Sequence, residues 1–576
     1  MLGVRLIDWV VIIVYLVGIT FIGLWAIKKV RSAATFFIGD RKFGKVMMAF
    51  FMFGSGTHSD QAVSVAAKTY RVGASGIWYQ WLWLFVTPFF WLLAPFFRRM
   101  RAITTGDYFE VRYGRSVSGL YAAMGMLPLL VAIGVMLKGS GAMVEAVSGG
   151  AISSNLAIMA MTVMFVIYGV AGGLAAAIAT NFIQGLLTIV LSFLILPFAL
   201  AEVGGMSGLR QSIAQLSIAN PDMPDMLSLV SPGEINLFFI IVIVVNALVG
   251  WVTMPETMAN CAAGKTEMEG RMGVTVGIFG KRICTIAWML TGLCAVAMYT
   301  QLADADLAYG KMARDLLPGI APGLIGLFIA CMLASVMSTC DSLMVVASAL
   351  FTENIYKKFF VVGKVDKHYT LVGRIVSALI VVLGIFFAFN VPSVVQGLEF
   401  YWKVSALMGI AFWVGLFWRR ATVAGAWAAT LTSLGLLIFT STNAFGIIGW
   451  DFNTHFADKL PAFMLWEGKL YLPWQMIIYL SAGFVVLVVV SLLTRPVPAE
   501  NLDRLYTCLR TPISPGEPEA EQPVTLPSGV QPGPRNVLID HPDFEIPRPT
   551  LIGILGFGIA WLGVAALVGV VYWIIG

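Results

Sequence analysis

The chain has 576 residues, of which 59% are hydrophobic and only 12% are charged, and its mean hydropathy is +0.86. Because soluble globular domains carry roughly 25% charged residues, this composition excludes a soluble globule and predicts a polytopic membrane protein. The net charge of +6 does not indicate nucleic-acid binding, since Lys and Arg concentrate in alternate loops, a pattern that membrane topology explains. The six cysteines are scattered without CxxC spacing, so neither a disulfide framework nor a metal site is supported.

The first apolar run, from Leu6 to Ile27, is too long for a signal-peptide core and lacks a small-residue cleavage pattern after it. We therefore expect a retained transmembrane helix. Apolar windows of about 20 residues predict about 14 transmembrane helices in the whole chain. They lie at roughly 5–27, 44–68, 74–98, 118–146, 152–172, 175–202, 235–261, 273–300, 318–352, 371–391, 395–418, 422–440, 471–494 and 550–575.

Loops that follow odd-numbered predicted helices are basic. The positive-inside rule places these loops in the cytoplasm, which leaves both termini outside. We expect a multi-pass protein of the plasma (inner) membrane. The basic residues include Lys28, Lys29 and Arg31 in the first loop, Arg98, Arg99 and Arg101 in the next, and Lys357 and Lys358 after the ninth helix.

The predicted helices divide into two sets of five, 44–203 and 235–418. An odd number of helices forces the second set to be inverted relative to the first. Each set opens with an interrupted helix, at Gly54–Thr57 in one and at Met254–Glu256 in the other, as in many transporters. The remaining regions are an extra first helix with its cytoplasmic loop (1–43), peripheral helices with an external loop (419–494), a Pro- and Gly-rich cytoplasmic loop expected to be flexible (495–549), and a final helix (550–576).

Two polar segments, Gly54–Gln61 and Ser335–Ser342, interrupt stretches that otherwise resemble membrane helices. Lipid offers no hydrogen-bond partner to a freed carbonyl, so such segments persist only against other protein or a cavity. They are therefore the candidate site for an ion and a solute.

Several motifs, in this order along the chain, resemble those of the sodium:solute symporter family. The resemblance implies an all-α polytopic membrane protein with a leucine-transporter-like five-plus-five inverted repeat, alternating access and a coupled sodium ion. The motifs are Tyr168–Leu174 with Thr180–Gln184, Leu333–Tyr356 and Leu502–Leu505.

A sodium ion needs several oxygen ligands, and short hydroxyls and unwound backbone supply them without a desolvated charge. Ser338 and Thr339 can provide side-chain oxygens. The family resemblance implies that the carbonyl groups of Gly54, Thr57 and Ser335 complete the set. The alternative is that the hydroxyls bond to their own helix backbone at the i−4 carbonyl.

A second cation site would involve Asn181, Asp341 and Ser342. The resemblance implies an aspartate where this chain has Asn181, which puts a second sodium site in doubt. Asp341 follows Ser338 by one helical turn and is another source of that charge. A carboxylate inside a membrane helix faces a cavity or a cation by default, but a hydrogen bond to a neighbouring helix is equally compatible with the sequence.

For the solute, the resemblance to sugar-binding members implies roles for Gln61, Gln80 and Lys281. Aromatic faces and amide groups suit a polyhydroxylated ligand. The match is partial, because Leu398 stands where those members have a glutamine. Lys281 could instead extend to the cytoplasm, and Trp83 could belong to the interfacial aromatic belt. The candidate solute-binding residues are Gln61, Tyr79, Gln80, Trp83, Thr253 and Lys281.

These features predict sodium-coupled uptake of a small polar solute, a sugar or related polyol, by a protein that is not an enzyme. The alternatives are a membrane sensor with a transporter fold, a sodium-leak channel and a proton-coupled symporter, for which His58 would be the titratable group. The expected partners are the solute and the lipid bilayer, with no nucleic acid and no obligate protein partner.

Overall fold

The computed structural model describes residues 5–27, 44–102, 104–441, 450–518, 520 and 522–576, without the side chains of residues 23–27, 55, 164, 165, 167–182, 259, 260 and 366. Within these residues, nine helices are long and apolar enough to cross a membrane. A two-stranded antiparallel ribbon, β1 (Leu465–Trp466) and β2 (Lys469–Leu470), is the described sheet.

The α-helices follow one another along the chain, with the longest connection, residues 511–550, before the last helix. They are α1 (Leu6–Ile27), α2 (Lys45–Gly56), α3 (Ser59–Val72), α4 (Trp78–Arg99), α5 (Thr105–Tyr113), α6 (Arg115–Ser148), α7 (Ser154–Leu194), α8 (Leu196–Glu202), α9 (Gly205–Ala219), α10 (Leu237–Trp251), α11 (Pro255–Ala262), α12 (Glu267–Met298), α13 (Ala308–Leu316), α14 (Leu324–Ala349), α15 (Asp366–Asn390), α16 (Val394–Ser405), α17 (Gly409–Phe417), α18 (Val423–Phe439), α19 (Phe452–Phe456), α20 (Leu472–Leu493), α21 (Ala499–Arg510) and α22 (Leu551–Ile575).

The helices form an inner and an outer set. Most residues of α12 and α14 are buried, and these two helices contact the broken pair α2 and α3. By contrast, α1, α15, α20 and α22 expose large apolar side chains on the outside of the bundle. Lipid offers no hydrogen-bond partners, so helices that pair their own backbone groups and expose apolar side chains are suited to a membrane.

Two helices are interrupted where the sequence predicts that each set of five opens, whereas the polar segment Ser335–Ser342 lies within the continuous helix α14. The first break is at Thr57 and His58, between α2 and α3, and the second is at Val252–Met254, between α10 and α11. A third break separates α16 from α17, where the sequence predicts one continuous helix over 395–418. The residues in this third break, 406–408, include no Gly or Pro, so the sequence carries no local signal for it.

Residues 152–202 differ from the prediction of two helices. A single helix, α7, runs from Ser154 to Leu194, and the interruption comes at Ile195. The predicted boundary between 172 and 175 contains Gly172 and Gly173, but a glycine inside a helix costs only about 1 kcal/mol. At 1.5 Å per residue α7 is about 62 Å long, which is about twice the thickness of a bilayer's hydrocarbon core.

The predicted ninth helix, 318–352, also differs in its end. After α14 the chain continues as a π-helix over Leu350–Phe360. Such wide turns are usually short and often occur at functional segments. The helix therefore extends about two turns past the predicted boundary.

The broken pair α2 and α3 is held by close packing against α6. The hydroxyl groups of Ser59 and Ser140 lie 2.8 Å apart and are buried. A β-carbon on Gly139 would lie only 2.7 Å from the α-carbon of Asp60. Glycine at this position thus allows α6 to approach the start of α3 and fixes where the break sits.

The segment 495–549 is predicted to be flexible, but it contains the helix α21 and is more ordered than its composition indicates. Glu517 forms an ion pair with Arg101 in which both side chains are buried. Glu545 pairs with Arg419 at 2.9 Å and with Arg535 at 3.3 Å. These long-range pairs attach the segment to the loops at one end of the helices.

Candidate functional site

A cavity of about 100 Å³ lies where the break between α2 and α3 meets α4, α6, α11, α12, α14 and α16. One water needs only about 10 to 15 Å³, so this cavity holds several. Apolar residues such as Val135 and Leu398 form part of its wall. Its charged and polar lining consists of His58, Asp60, Gln61, Glu256, Thr257, Lys281, Arg282 and Thr339.

The end of α2 provides freed carbonyl oxygens. The last four carbonyl groups of a helix have no amide partner within it, and Gly54 and Gly56 belong to that last turn. The Gly56 carbonyl accepts hydrogen bonds from the side-chain amide of Gln61 (3.2 Å) and from the ammonium group of Lys281. The break is therefore an acceptor-rich point on the wall of the cavity.

Most hydroxyl groups of the predicted sodium site bond to their own helix. Thr57 donates to the Phe53 carbonyl (2.6 Å). In α14, Ser335 donates to Met332 (2.9 Å) and Thr339 donates to Ser335 (3.3 Å). A hydroxyl group that donates one bond keeps lone pairs for a cation, so these bonds are compatible with both interpretations. Ser338 is also buried in this stretch.

Thr339 lines the same cavity as Gly56 and Gln61. The structure therefore brings one predicted hydroxyl ligand of α14 to the broken end of α2, as a cation site between these helices requires. The predicted sodium residues are Gly54, Thr57, Ser335, Ser338 and Thr339, and they lie on these two helices and the break.

The possible second cation site is described in part. The side chain of Asn181 lies outside the described residues. Asp341 is 3% exposed and lies within electrostatic range of Tyr15 in α1, whose hydroxyl group accepts a bond of 3.3 Å from Gln184 of α7. Ser342 donates to the carbonyl of Ser338 (3.1 Å).

Asp341 is two residues from Thr339, which is a rotation of about 200° around an α-helix. Since Thr339 and Leu343 line the cavity and Asp341 is not part of its lining, Asp341 points to another side of α14. Helices α1 and α7 pack on α14, and the neighbours of Asp341 place it towards them.

Three of the predicted solute-binding residues line the cavity. These are Gln61, Trp83 and Lys281. The side-chain oxygen of Gln61 is buried and has no hydrogen-bond partner among the described residues. An amide oxygen in that state is available to a bound ligand.

The other three lie behind the wall of the cavity. Tyr79 donates to Glu399 at 2.5 Å, and Gln80 contacts Arg282 through both its carbonyl groups. Thr253, in the break between α10 and α11, donates to the Gly250 carbonyl at 2.8 Å. Their contacts connect helices and support the wall.

The lining residues that sequence reasoning missed include Glu256, Arg282 and Tyr401. A signal existed for two of them: Glu256 follows a proline in an interrupted helix, and Arg282 adjoins Lys281 in the middle of a membrane helix, where charge is rare and functional. Tyr401 carries no such signal, because an aromatic residue in a membrane helix is unremarkable by position alone.

The chain is similar to a family of known proteins and to individual members of it. The sequence profile of the sodium:solute symporter family matches residues 36–433. The chain is 24% identical to sodium/glucose cotransporter 1 of Oryctolagus cuniculus over 87% of its own length and 81% of the relative's. It is also 24% identical to the osmoregulated proline transporter OpuE of Bacillus subtilis (strain 168), over 78% and 91%.

Among solved structures, the fold is similar to that of a Na⁺-coupled sialic acid symporter in a substrate-bound outward-open state. The TM-score is 0.69 at 18% sequence identity, and the match covers 85% of this chain and 99% of the other. At this identity the likeness concerns the fold.

Proposed function

The chain belongs to the sodium:solute symporter family, as its motifs predicted, and on that basis we propose that it is a secondary active transporter. Inward movement of sodium ions drives the uptake of a small polar solute by alternating access. The family consists of transporters, so we infer no enzymatic activity.

The observation that carries this proposal is the meeting of a broken helix with a hydroxyl-bearing helix at one cavity. Gly56 lies at the broken end of α2, Thr339 of α14 supplies a hydroxyl, and both residues line the same space. Irregular backbone at membrane depth next to a polar cavity is typical of sodium and solute sites in secondary transporters. We assign the sodium ion to this junction, with Gly54, Thr57, Ser335 and Ser338 as its further ligands.

The architecture we propose is a five-plus-five inverted repeat within about 14 membrane passes, which requires the long helix α7 (Ser154–Leu194) to divide into two passes in the membrane. Its support is the position of the two interrupted helices, α2–α3 and α10–α11, which open the sets 44–203 and 235–418. We place the protein in the plasma membrane with both termini outside, on the charge bias of its loops.

For the solute, we propose a polyhydroxylated molecule such as a sugar or polyol. The relatives are named for glucose and for proline, so family membership leaves the solute class open. The unpartnered amide oxygen of Gln61 and the indole of Trp83 suit a ligand with hydroxyl groups and an apolar ring face.

The test uses the purified full chain in proteoliposomes. Labelled D-glucose, myo-inositol, D-glucuronate and L-proline are offered with an inward sodium gradient, or with sodium replaced by choline. We expect at least one solute to accumulate above its external concentration only with the sodium gradient, and to leak out when a sodium ionophore is added. Equal uptake under both conditions contradicts the proposal.

A proton-coupled mechanism is a second candidate because of one pair. The Nδ1 atom of His58 lies 2.9 Å from the carboxylate of Asp60, and both side chains line the cavity. A histidine paired with a carboxylate can exchange a proton near neutral pH. Uptake driven by an inward proton gradient without sodium, and lost in His58→Gln, would favour this mechanism.

A further inference from the structure

Two adjacent cationic side chains of α12, Lys281 and Arg282, line the central cavity and are almost fully buried, at 6% and 1% exposure. Their hydrogen bonds go to carbonyl oxygens: Lys281 to that of Gly56 and Arg282 to that of Gln80. Neither belongs to an ion pair among the described residues. Two buried cations thus lie side by side without a carboxylate partner.

The guanidinium group of Arg282 is held in a fixed orientation. One Nη atom is used by the Gln80 carbonyl, and the group lies 5.9 Å from the centre of the Trp83 ring. Its Nε atom is buried and has no hydrogen-bond partner in the described part of the chain. The edge of a guanidinium group formed by Nε and one Nη atom can hold a carboxylate with two parallel hydrogen bonds.

The acidic residues of the cavity do not complete these bonds. Asp60 is bonded to His58 at 2.9 Å, and Glu256 has a buried carboxylate oxygen without a partner. Two acidic and two basic side chains make the wall neutral overall when all four are ionised. One sodium ion and one monoanionic solute keep the occupied site neutral, whereas an uncharged solute leaves one net positive charge in a low-dielectric place, which is costly.

We propose that the transported solute carries a carboxylate group, which Arg282 binds through its Nε edge and Lys281 neutralises. This inference rests on the proposed symport and narrows its solute class to polyhydroxy acids. Gln61 shares the Gly56 carbonyl with Lys281, and Trp83 lies beside the Arg282 guanidinium group. These two residues, Gln61 and Trp83, then contact the hydroxyl-bearing part of the molecule next to its carboxylate.

The test compares solutes that differ only in one carboxylate: D-glucose with D-glucuronate, D-galactose with D-galacturonate, and glycerol with D-glycerate. Sodium-driven uptake into proteoliposomes is measured for each, and the thermal stability of the detergent-solubilised full chain is measured with each solute in sodium. L-proline serves as a carboxylate that also carries an ammonium group. We expect an acid to be taken up about tenfold or more faster than its neutral partner.

Variants assign the effect to the two cations. Arg282→Gln and Lys281→Gln are expected to weaken stabilisation by the acid about tenfold or more in half-saturating concentration, with sodium-induced stabilisation retained as evidence that the variants fold. The matched control is Arg271→Gln. Arg271 is also in α12 and lies 5.8 Å from the Trp91 ring centre, but it is not part of the cavity lining, and its loss should leave the acid response unchanged.

The outcomes separate the two proposals. Sodium-driven uptake restricted to the neutral solutes, or absent for every acid, overturns the carboxylate inference. Stronger uptake of L-proline than of all the sugar acids assigns the carboxylate to an amino acid and overturns the polyhydroxy-acid class. Acid-induced stabilisation without any sodium-driven uptake would instead contradict the symport proposal and leave carboxylate recognition in place.

Discussion

The hydroxyl group of Thr339 donates a hydrogen bond of 3.3 Å to the carbonyl oxygen of Ser335, one turn earlier in α14, and the same side chain lines the central cavity. A backbone bond uses the hydroxyl hydrogen but leaves the oxygen lone pairs available. Thr339 can therefore be anchored to its helix and still present an oxygen to a sodium ion.

For Thr339→Ala we expect a higher sodium concentration at half-maximal uptake. Losing one oxygen ligand in a buried polar site costs about 1 to 2 kcal/mol, which is about a 5- to 30-fold shift. Ser338→Ala should act in the same direction. The control is Ser348→Ala, whose hydroxyl also bonds to its own helix (Val345, 2.8 Å) outside the cavity lining. An equal shift in all three variants, or no shift in Thr339→Ala, would contradict the assignment of these hydroxyl groups as sodium ligands.

Substitutions of Gln61 and Gln80 should have different effects on solute affinity. Gln61 lines the cavity with an unpartnered oxygen, whereas Gln80 lies behind it against Arg282. Gln61→Ala is expected to weaken solute binding by about 1 to 3 kcal/mol with little change in sodium affinity. Gln80→Ala should have a smaller effect. Equilibrium binding of the accumulated solute checks both, and wild-type affinity in Gln61→Ala would place the solute elsewhere.

The number of coupled sodium ions depends on Asp341 and Asn181. Asp341 points away from the central cavity, and Asn181 lacks the carboxylate of the family pattern, so we expect one coupled ion and hyperbolic activation of uptake by sodium. Asp341→Asn should leave the curve hyperbolic. Sigmoidal activation in the wild type that becomes hyperbolic in Asp341→Asn would reveal a second ion at Asp341, and Asn181→Asp tests the position used by relatives.

Asp306, in the turn between α12 and α13, should make stability depend on pH. Burial raises the pKa of its carboxyl group to about 6, although the Val394 amide donates a bond of 2.8 Å to it. The protonated form is favoured in the folded state. The contribution of the protonated carboxyl group to folding stability is therefore fully present below about pH 4 and is lost as the pH rises through about 6.

The corresponding measurement is the melting temperature in detergent between pH 4 and 8. Asp306→Asn keeps an acceptor for the Val394 amide and removes the titration, so it should stabilise the protein above pH 6 by up to about 3 kcal/mol and flatten the profile. Asp222→Asn, an exposed change, keeps Asp306 and should retain the wild-type slope. A wild-type slope in Asp306→Asn would contradict this assignment.

The buried pair of Arg101 and Glu517 should hold the segment 511–548 in place. Glu517→Gln leaves a buried guanidinium group without its carboxylate, which costs about 3 to 5 kcal/mol. We expect faster limited proteolysis within this segment. Asp540→Asn, which removes an exposed partner of Arg535, should not change the cleavage rate, and equal rates in all forms would show that the ion pair does not retain the segment.

The sequence by itself determined the class of protein, the family and the two breaks, because each depends on local chemistry. Apolar runs predict membrane helices, and the polar stretches at Gly54–Gln61 and Met254–Glu256 interrupt them wherever the rest of the chain lies. The cation and hydroxyl candidates Thr339 and Lys281 were also identifiable, since polar groups inside membrane helices are rare enough to be informative.

Only the tertiary structure decided which of these residues meet. Gln61, Trp83 and Lys281 share a cavity, whereas Tyr79 bonds to Glu399, more than 300 residues away. Helix α7 continues through Gly172 and Gly173, since a glycine inside a helix costs only about 1 kcal/mol, and the break after α16 falls at residues 406–408, which include no Gly or Pro. The pairing of Arg282 with carbonyl oxygens alone has the same origin: a helix sequence shows that a cation is buried, but only the neighbouring helices determine whether an acid lies opposite it.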